Sequence, residues 1–359
     1  MTLGRKLFFD ASLSEPAGTS CASCHDPAQA YAGNNGSTLG TAQGSRLGRR
    51  ARRNTQSVMY LRFVRRFHLV WEDENDRPEA FGGFFWDGRA DSIHDLVRQP
   101  LLNPNEMGNR SLHQIAQKVR RGPVADQLAQ EFDDFLASDE QTVAALSFCV
   151  EAFLTSRSMS PFSSKYDDFV RGAYRLSALE ARGLALFEDQ DKGACSVCHR
   201  LDHHTGLPES SMFTDYGYDV VSVPRNRKLP ENRSAQRFDL GVCERRDPRM
   251  HTEDPWYCGA FRTPSLRNVA KRKHFMHNGV FSSLREVVSF YATRASEPER
   301  WYGQREFDDL PAKYHDNINL SLPPYNQPRG EAPRLDDTEI DAIVAFLGTL
   351  SDRDIPVGP

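Results

Sequence analysis

No uninterrupted apolar run in this 359-residue chain approaches the roughly 20 residues that a membrane-spanning helix needs. The longest candidate, Thr142 to Leu154, is short and interrupted by Ser147 and Glu151. Excess positive charge is missing too. A formal net charge of -4 and a pI near 6.3 give no electrostatic reason to expect nucleic acid as a partner. Ahead of Cys21 there is no basic segment followed by an apolar stretch, and Leu3 to Asp10 already reads as structured sequence. Any export signal is therefore expected to have been cut away, or its start codon missed. The length suffices for two domains, each with its own core.

What is present is a pair of pentads, Cys21-Ala22-Ser23-Cys24-His25 and Cys195-Ser196-Val197-Cys198-His199. This spacing lets two thiols add across the vinyl groups of one haem while the histidine ligates its iron. Two pentads predict two covalently attached c-type haems, with His25 and His199 as proximal ligands. A zinc-type cysteine pair beside an incidental histidine is the alternative. Covalent haem attachment takes place outside the bacterial cytoplasm, so a periplasmic location is expected.

Of seven cysteines, four belong to the pentads, leaving Cys149, Cys243 and Cys258. Cys149 sits in an apolar helical stretch and reads as a buried small side chain. Cys243 and Cys258 flank a loop rich in Arg, Asp and Pro; in an oxidising compartment they are expected to pair.

The surroundings of the pentads also repeat. Gly4-Arg5-Lys6-Leu7-Phe8-Phe9-Asp10 leads to the first, and Gly183-Leu184-Ala185-Leu186-Phe187-Glu188-Asp189 to the second. Val143 to Leu154 and Ile340 to Leu350 read as amphipathic closing helices, the latter with Asp336 or Asp337 as N-cap. The expected fold is mainly α: two cytochrome c-like haem domains related by internal duplication, 1–170 and 171–359, with long irregular loops. Arg46, Arg49, Arg50, Arg52, Arg53, Arg62, Arg65 and Arg66 form a basic run followed by an acidic one, Glu72 to Glu79. It reads as solvated loop surface with one or two arginines on haem propionates; a docking patch for an acidic partner is the alternative.

At this point the chain resembles the bacterial di-haem cytochrome c peroxidase and MauG superfamily over nearly its whole length. The resemblance rests on Leu7-Phe8-Phe9-Asp10, Phe85-Trp86-Asp87-Gly88-Arg89, Asn103-Pro104-Asn105-Glu106-Met107-Gly108, Phe261-Arg262-Thr263-Pro264-Ser265-Leu266-Arg267-Asn268 and His277-Asn278-Gly279. It implies that Glu106 is the distal acid/base, that Pro100 keeps its place in the distal pocket, and that Trp86 lies between the haems. The family's distal glutamine is replaced by Leu96, which predicts a drier pocket; Gln99 could substitute only with the loop redrawn. No histidine occurs from Asp26 to Phe67, so the His25 haem is expected to have an open sixth position, with Tyr31 and Tyr60 as weak alternatives. Asn54 matches a calcium ligand between the domains. The accompanying carbonyl positions are Arg272 and His274, however, and Lys271, Arg272 and Lys273 disfavour a divalent cation.

Within the superfamily, the residue fourteen beyond the His of the His-x-Gly motif ligates the second haem, methionine in the peroxidases and tyrosine in MauG. Here it is Tyr291. Ser283 and Glu286 make a capping box, and Leu284, Val287, Val288 and Tyr291 follow at helical spacing, which puts Tyr291 on the buried stripe. Met276 is the fallback ligand. A thioether raises a haem potential, whereas an anionic phenolate stabilises oxidised iron.

The implied activity is a MauG-like one: hydrogen peroxide forms a high-valent di-haem state that oxidises a residue of a partner protein. Glu299-Arg300-Trp301-Tyr302 and Phe307-Asp308-Asp309-Leu310-Pro311 resemble the MbnH branch, which implies conversion of tryptophan to kynurenine on a copper-binding protein, with Trp301 or Trp256 as exit relay. The rivals are a cytochrome c peroxidase fed with electrons by a small cytochrome or copper protein, and a pure electron-transfer di-haem protein.

Overall fold

The computed structural model describes residues 1–71, 77–245 and 255–358; most of the acidic run from Glu72 to Glu79 lies outside them. The architecture is mostly helical, with two short antiparallel strand pairs, His68–Val70 with Glu79–Phe81 and Tyr218–Asp219 with Phe261–Arg262. Much of the rest is irregular loop.

Each half is organised by one pair of crossed helices. Thr2–Phe8 packs on Asp139–Leu154, and Ala178–Glu188 packs on Asp337–Gly348. Ser138 starts the first closing helix by accepting from the Gln141 N–H; Asp336, not Asp337, caps the second through a capping box with Glu339. Cys149 is buried within the first closing helix, as its apolar setting predicts.

The two glycines that open the repeated segments sit at equivalent places. A Cβ on Gly4 would stand 1.7 Å from the Cys149 carbonyl oxygen, and one on Gly183 would stand 2.0 Å from that of Ala342. Both are backbone contacts, so the closing helix must move to admit a methyl group. This shared crossing fits an internal duplication. Gly183→Ala is accordingly expected to destabilise the fold by about 1–3 kcal/mol through overpacking, read as a lower Tm. An unchanged Tm would mean that the two helices part freely.

Buried apolar residues fall into two large clusters. One holds Leu7, Phe8, Tyr31, Ile115, Leu146 and Phe153; the other holds Tyr166, Phe187, Phe213, Phe290, Ile343 and Phe346. A smaller third cluster around Phe67, Val242 and Leu310 lies under the strand pairs. The last residues return to the first half. Asp352 accepts from the Tyr60 hydroxyl at 2.8 Å and from Asn268 Nδ2 at 2.6 Å, and the Pro356 carbonyl accepts from the Tyr31 hydroxyl at 2.8 Å.

Candidate active site and haem pockets

Both pentads are built alike. Ser20 and Ser23 close a capping box that makes Cys21–Cys24 a single helical turn, and Cys195–Val197 forms a 3-10 turn. His25 Nδ1 lies 3.0 Å from the Tyr31 carbonyl oxygen, and His199 Nδ1 lies 2.9 Å from that of Phe213. A ring nitrogen held by a backbone carbonyl is the donor, which leaves Nε2 free to ligate. Burial lowers the pKa of both imidazoles and favours the neutral form that a metal needs. Burial also pushes all four pentad thiols up to about 12. Among the described residues, no three His, Cys, Asp or Glu side chains group as a metal site. The zinc alternative finds no second set of ligands.

A cavity of about 620 Å³ opens beside the first pentad, lined by Cys21, Cys24, His25, Trp86, Pro100 and Glu106 among others. Several polar groups on its wall are buried without a hydrogen-bond partner: Gln56 Nε2, the Tyr216 hydroxyl and Arg272 Nε. Burial also depresses the pKa of Arg262 and brings that of Arg272 down to about 10. A buried cation and unpaired donors call for an anion. Haem propionates would meet that need, so the cavity fits the cofactor in volume, covalent anchors and charge.

The residues expected on the distal side line the same cavity. Glu106 is half-buried on the cavity wall, and desolvation raises its pKa; Arg89 and a hydrogen bond with Asn103 pull it back in part. Leu96 and Pro100 supply apolar wall, as expected from the loss of the glutamine. Gln99 does not line the cavity. It accepts from Arg89 Nε at 2.9 Å, while Arg89 Nη1 reaches Asp87 at 3.0 Å. Arg89 belongs to the Phe-Trp-Asp-Gly-Arg motif, so the sequence itself marks the residue. Tyr60 lines the cavity with its hydroxyl committed to Asp352. Tyr31 is on the proximal side, where its carbonyl holds His25 and its own hydroxyl is spent on Pro356. Apart from His25, no histidine lines the described cavity.

Tyr291 lies on the helix Leu284–Thr293, whose capping box joins Ser283 and Glu286 as predicted; of the expected stripe only Val288 is buried, while Leu284, Val287 and Tyr291 are half-buried against the second apolar cluster. Its phenol lies near the thiols of Cys198 and Cys195, and burial raises its pKa. The structure thus brings Tyr291 to the second pentad. Met276 packs against the second apolar cluster, and its carbonyl accepts from Asn54.

The two centres share a wall. Phe213, whose carbonyl holds His199, adjoins Met212 on the His25 cavity, and Pro264, beside His199, lines that cavity as well. Trp86 lies on this side: its Nε1 donates to the Asn54 carbonyl at 2.8 Å, its own carbonyl accepts from Arg262 N–H at 2.8 Å, and its ring meets His277 edge-on at 6.5 Å. Trp301 contacts Phe290, which in turn contacts Tyr291, with centroids 5.4 and 5.9 Å apart. Trp256 belongs instead to the third cluster and stacks with Arg77.

One expectation needs correction in detail, at the calcium position, whereas the basic run is mostly solvated loop surface as expected, with Arg49, Arg52, Arg62, Arg65 and Arg66 exposed. Within it Arg53 pairs with Asp87 and Asp239, Arg52 with Glu244, and Arg46 and Arg50 bond to backbone carbonyls. At the proposed calcium position, Asn54 Nδ2 donates to the carbonyls of His274 and Met276 at 3.0 and 3.1 Å. The second carbonyl is that of Met276 rather than Arg272. These oxygens already hold an amide donor, with the buried Arg272 guanidinium in the same loop, so the residues do not fit a divalent cation. Cys243 and Cys258 are disulfide-bonded, as expected.

A family model described as di-haem cytochrome c peroxidase matches residues 1–175. The methylamine utilization protein MauG of Paracoccus denitrificans is 34% identical over 357 residues, 98% of this chain and 88% of that protein. The solved diheme peroxidase BthA of Burkholderia thailandensis is 44% identical, with a TM-score of 0.92 over 99% of this chain and 86% of that one. A MauG-like protein associated with microbial copper homeostasis shares the fold at a TM-score of 0.67 and 22% identity, covering 98% of this chain and 89% of that one. With two Cys-x-x-Cys-His pentads and a carboxylate on the wall of the cavity beside the first, these likenesses agree: the chain is an oxidoreductase belonging to the di-haem cytochrome c peroxidase and MauG family.

Proposed function

We propose that the protein uses hydrogen peroxide to oxidise a residue of a partner protein, tryptophan on a copper-binding protein being the substrate to test first. The observation that carries this reading is the inequality of the two centres. Glu106 faces the cavity of His25, whereas Tyr291 stands at the pentad of His199. A c-type haem at each pentad supplies the iron redox chemistry.

The chain's own residues do the rest. Glu106 takes a proton from peroxide and returns it to the departing oxygen. Leu96 and Pro100 keep that site dry. His199 and Tyr291 would hold the second haem, where an anionic phenolate would favour oxidised iron, and Trp86 is the relay between the centres. Trp301 is the better placed exit, through Phe290, although Arg300 lies 4.8 Å from its ring centroid and opposes positive charge there. We set the domain boundary near residue 170 and the location in the periplasm. No step passes through calcium. Chelation with EGTA is expected to leave Tm and the haem spectra unchanged, and a fall in either would restore the ion.

The second reading is a di-haem peroxidase that reduces peroxide with electrons from a small cytochrome or copper protein. It is favoured by the 44% identity to a diheme peroxidase. Peroxide added with a candidate copper-binding partner, followed by mass spectrometry, separates the two. Oxidised tryptophan on the partner supports protein oxidation. Rapid peroxide turnover with a reduced cytochrome and no modified partner supports the peroxidase.

A further inference from the structure

Tyr291 does not stand alone at the second pentad. The ring of Tyr325 lies against it, with centroids 5.8 Å apart and planes inclined at 30°, which sets the two phenol side chains side by side. Tyr325 is buried, and its backbone is fixed by a 2.8 Å hydrogen bond from its N–H to the Leu322 carbonyl. The Arg294 guanidinium lies 4.2 Å from the Tyr325 ring centroid. Arg294 is only 1% exposed and is held in place by the backbone carbonyls of Val221 and Asn319.

A phenolate oxygen taken out of water needs a donor, and a buried cation against the donor's ring draws electron density from its O–H. We propose that Tyr325 is a positioning residue for Tyr291: it donates a hydrogen bond to the Tyr291 phenolate, Arg294 holds and polarises it, and the pair thereby sets the redox potential of the second haem. The inference rests on Tyr291 being the axial ligand. Hydrogen bonding by such outer partners is one of the means by which a protein tunes a bound metal. Its direction is fixed by charge. A phenolate without its donor is more electron-rich and favours ferric iron.

The test is Tyr325→Phe in the holoprotein, read by spectroelectrochemical titration and by resonance Raman of the phenolate bands. The ferric-to-ferrous equilibrium is expected to shift about tenfold toward ferric, a fall of about 59 mV for one electron. The phenolate bands should persist at altered frequency. In the parent protein those bands should move in D2O, and in the variant they should not, which tests the hydrogen bond without depending on the potential. An unchanged potential together with an unchanged D2O response overturns the proposal while leaving Tyr291 as ligand. Loss of the phenolate bands in Tyr325→Phe, with their retention in Tyr291→Phe, makes Tyr325 the ligand and overturns both.

Discussion

Tyr291→Phe is expected to abolish the low-spin ferric signal of the second haem while leaving the fold and the first haem in place. The resting protein should show one high-spin and one low-spin ferric centre by EPR, and the variant should lose the latter. Phenylalanine keeps the contacts that Tyr291 makes with Phe290 and Tyr325, whose centroids lie 5.9 and 5.8 Å away. The change therefore removes an oxygen donor and little packing. Oxidation of a protein partner should fall by more than the roughly 10–100-fold that follows loss of an outer-shell partner, because a ligand itself is gone. Peroxide consumption at the Glu106 cavity should fall much less, since that cavity is lined by a different set of residues. An unaltered low-spin signal in the variant would transfer the ligand role elsewhere, with Met276 and Tyr325 the next candidates.

The part of this arrangement legible in the sequence is the part written locally. Thioether anchors and ligand lie within five consecutive residues, so each pentad announces its haem. The Ser283–Glu286 capping box marks the helix that carries Tyr291 without any distant information, although the side that helix buries most runs through Val288, Ser289, Ala292 and Thr293 and leaves Tyr291 half-buried. Gly4 and Gly183 are visible as a repeat, although only the structure gives their reason, a carbonyl of the closing helix within 2.0 Å of the would-be Cβ.

What escaped depends on contacts between distant segments. The Asn54 amide meets carbonyls more than two hundred positions away, and its role as a donor, rather than an ion ligand, follows from that closure. The ion pairs of Arg52 and Arg53 are hidden in the sequence because their acidic partners Asp239 and Glu244 come from the other half. Tyr325 sits in a Pro-rich loop with no periodicity to give it a face. Only the packing of that loop on the helix Leu284–Thr293 sets its ring beside Tyr291. Asn103 was within reach, because it opens the same motif as Glu106 and its side chain bonds that carboxylate.

Glu106→Gln separates chemistry from stability, because burial acts on the two in opposite directions. Burial is the main cause of the raised pKa, and Arg89 and Asn103 offset it only in part. In the ionised form Glu106 is a stronger base than an exposed glutamate, which suits removal of a proton from peroxide. The rate of reaction with peroxide should therefore rise with pH through a limb lying above the ordinary glutamate value of about 4.3. Glutamine cannot exchange that proton, so the limb should vanish and the rate should drop about 10²–10⁴-fold.

The folded state, in contrast, binds this proton more tightly than the unfolded chain does. Stability is consequently lost as pH rises from the unfolded value through the raised folded one, and the full penalty stands above it. At neutral pH the glutamine variant carries no such penalty, and its Tm should equal or exceed that of the parent. Below the unfolded value, where Glu106 is protonated in both states, the two proteins should converge. A variant that reacts with peroxide at the parental rate and keeps the acid limb would remove Glu106 from the proton transfer. One that loses both activity and Tm at neutral pH would instead make the carboxylate a structural ion, held by Arg89 for the sake of the loop.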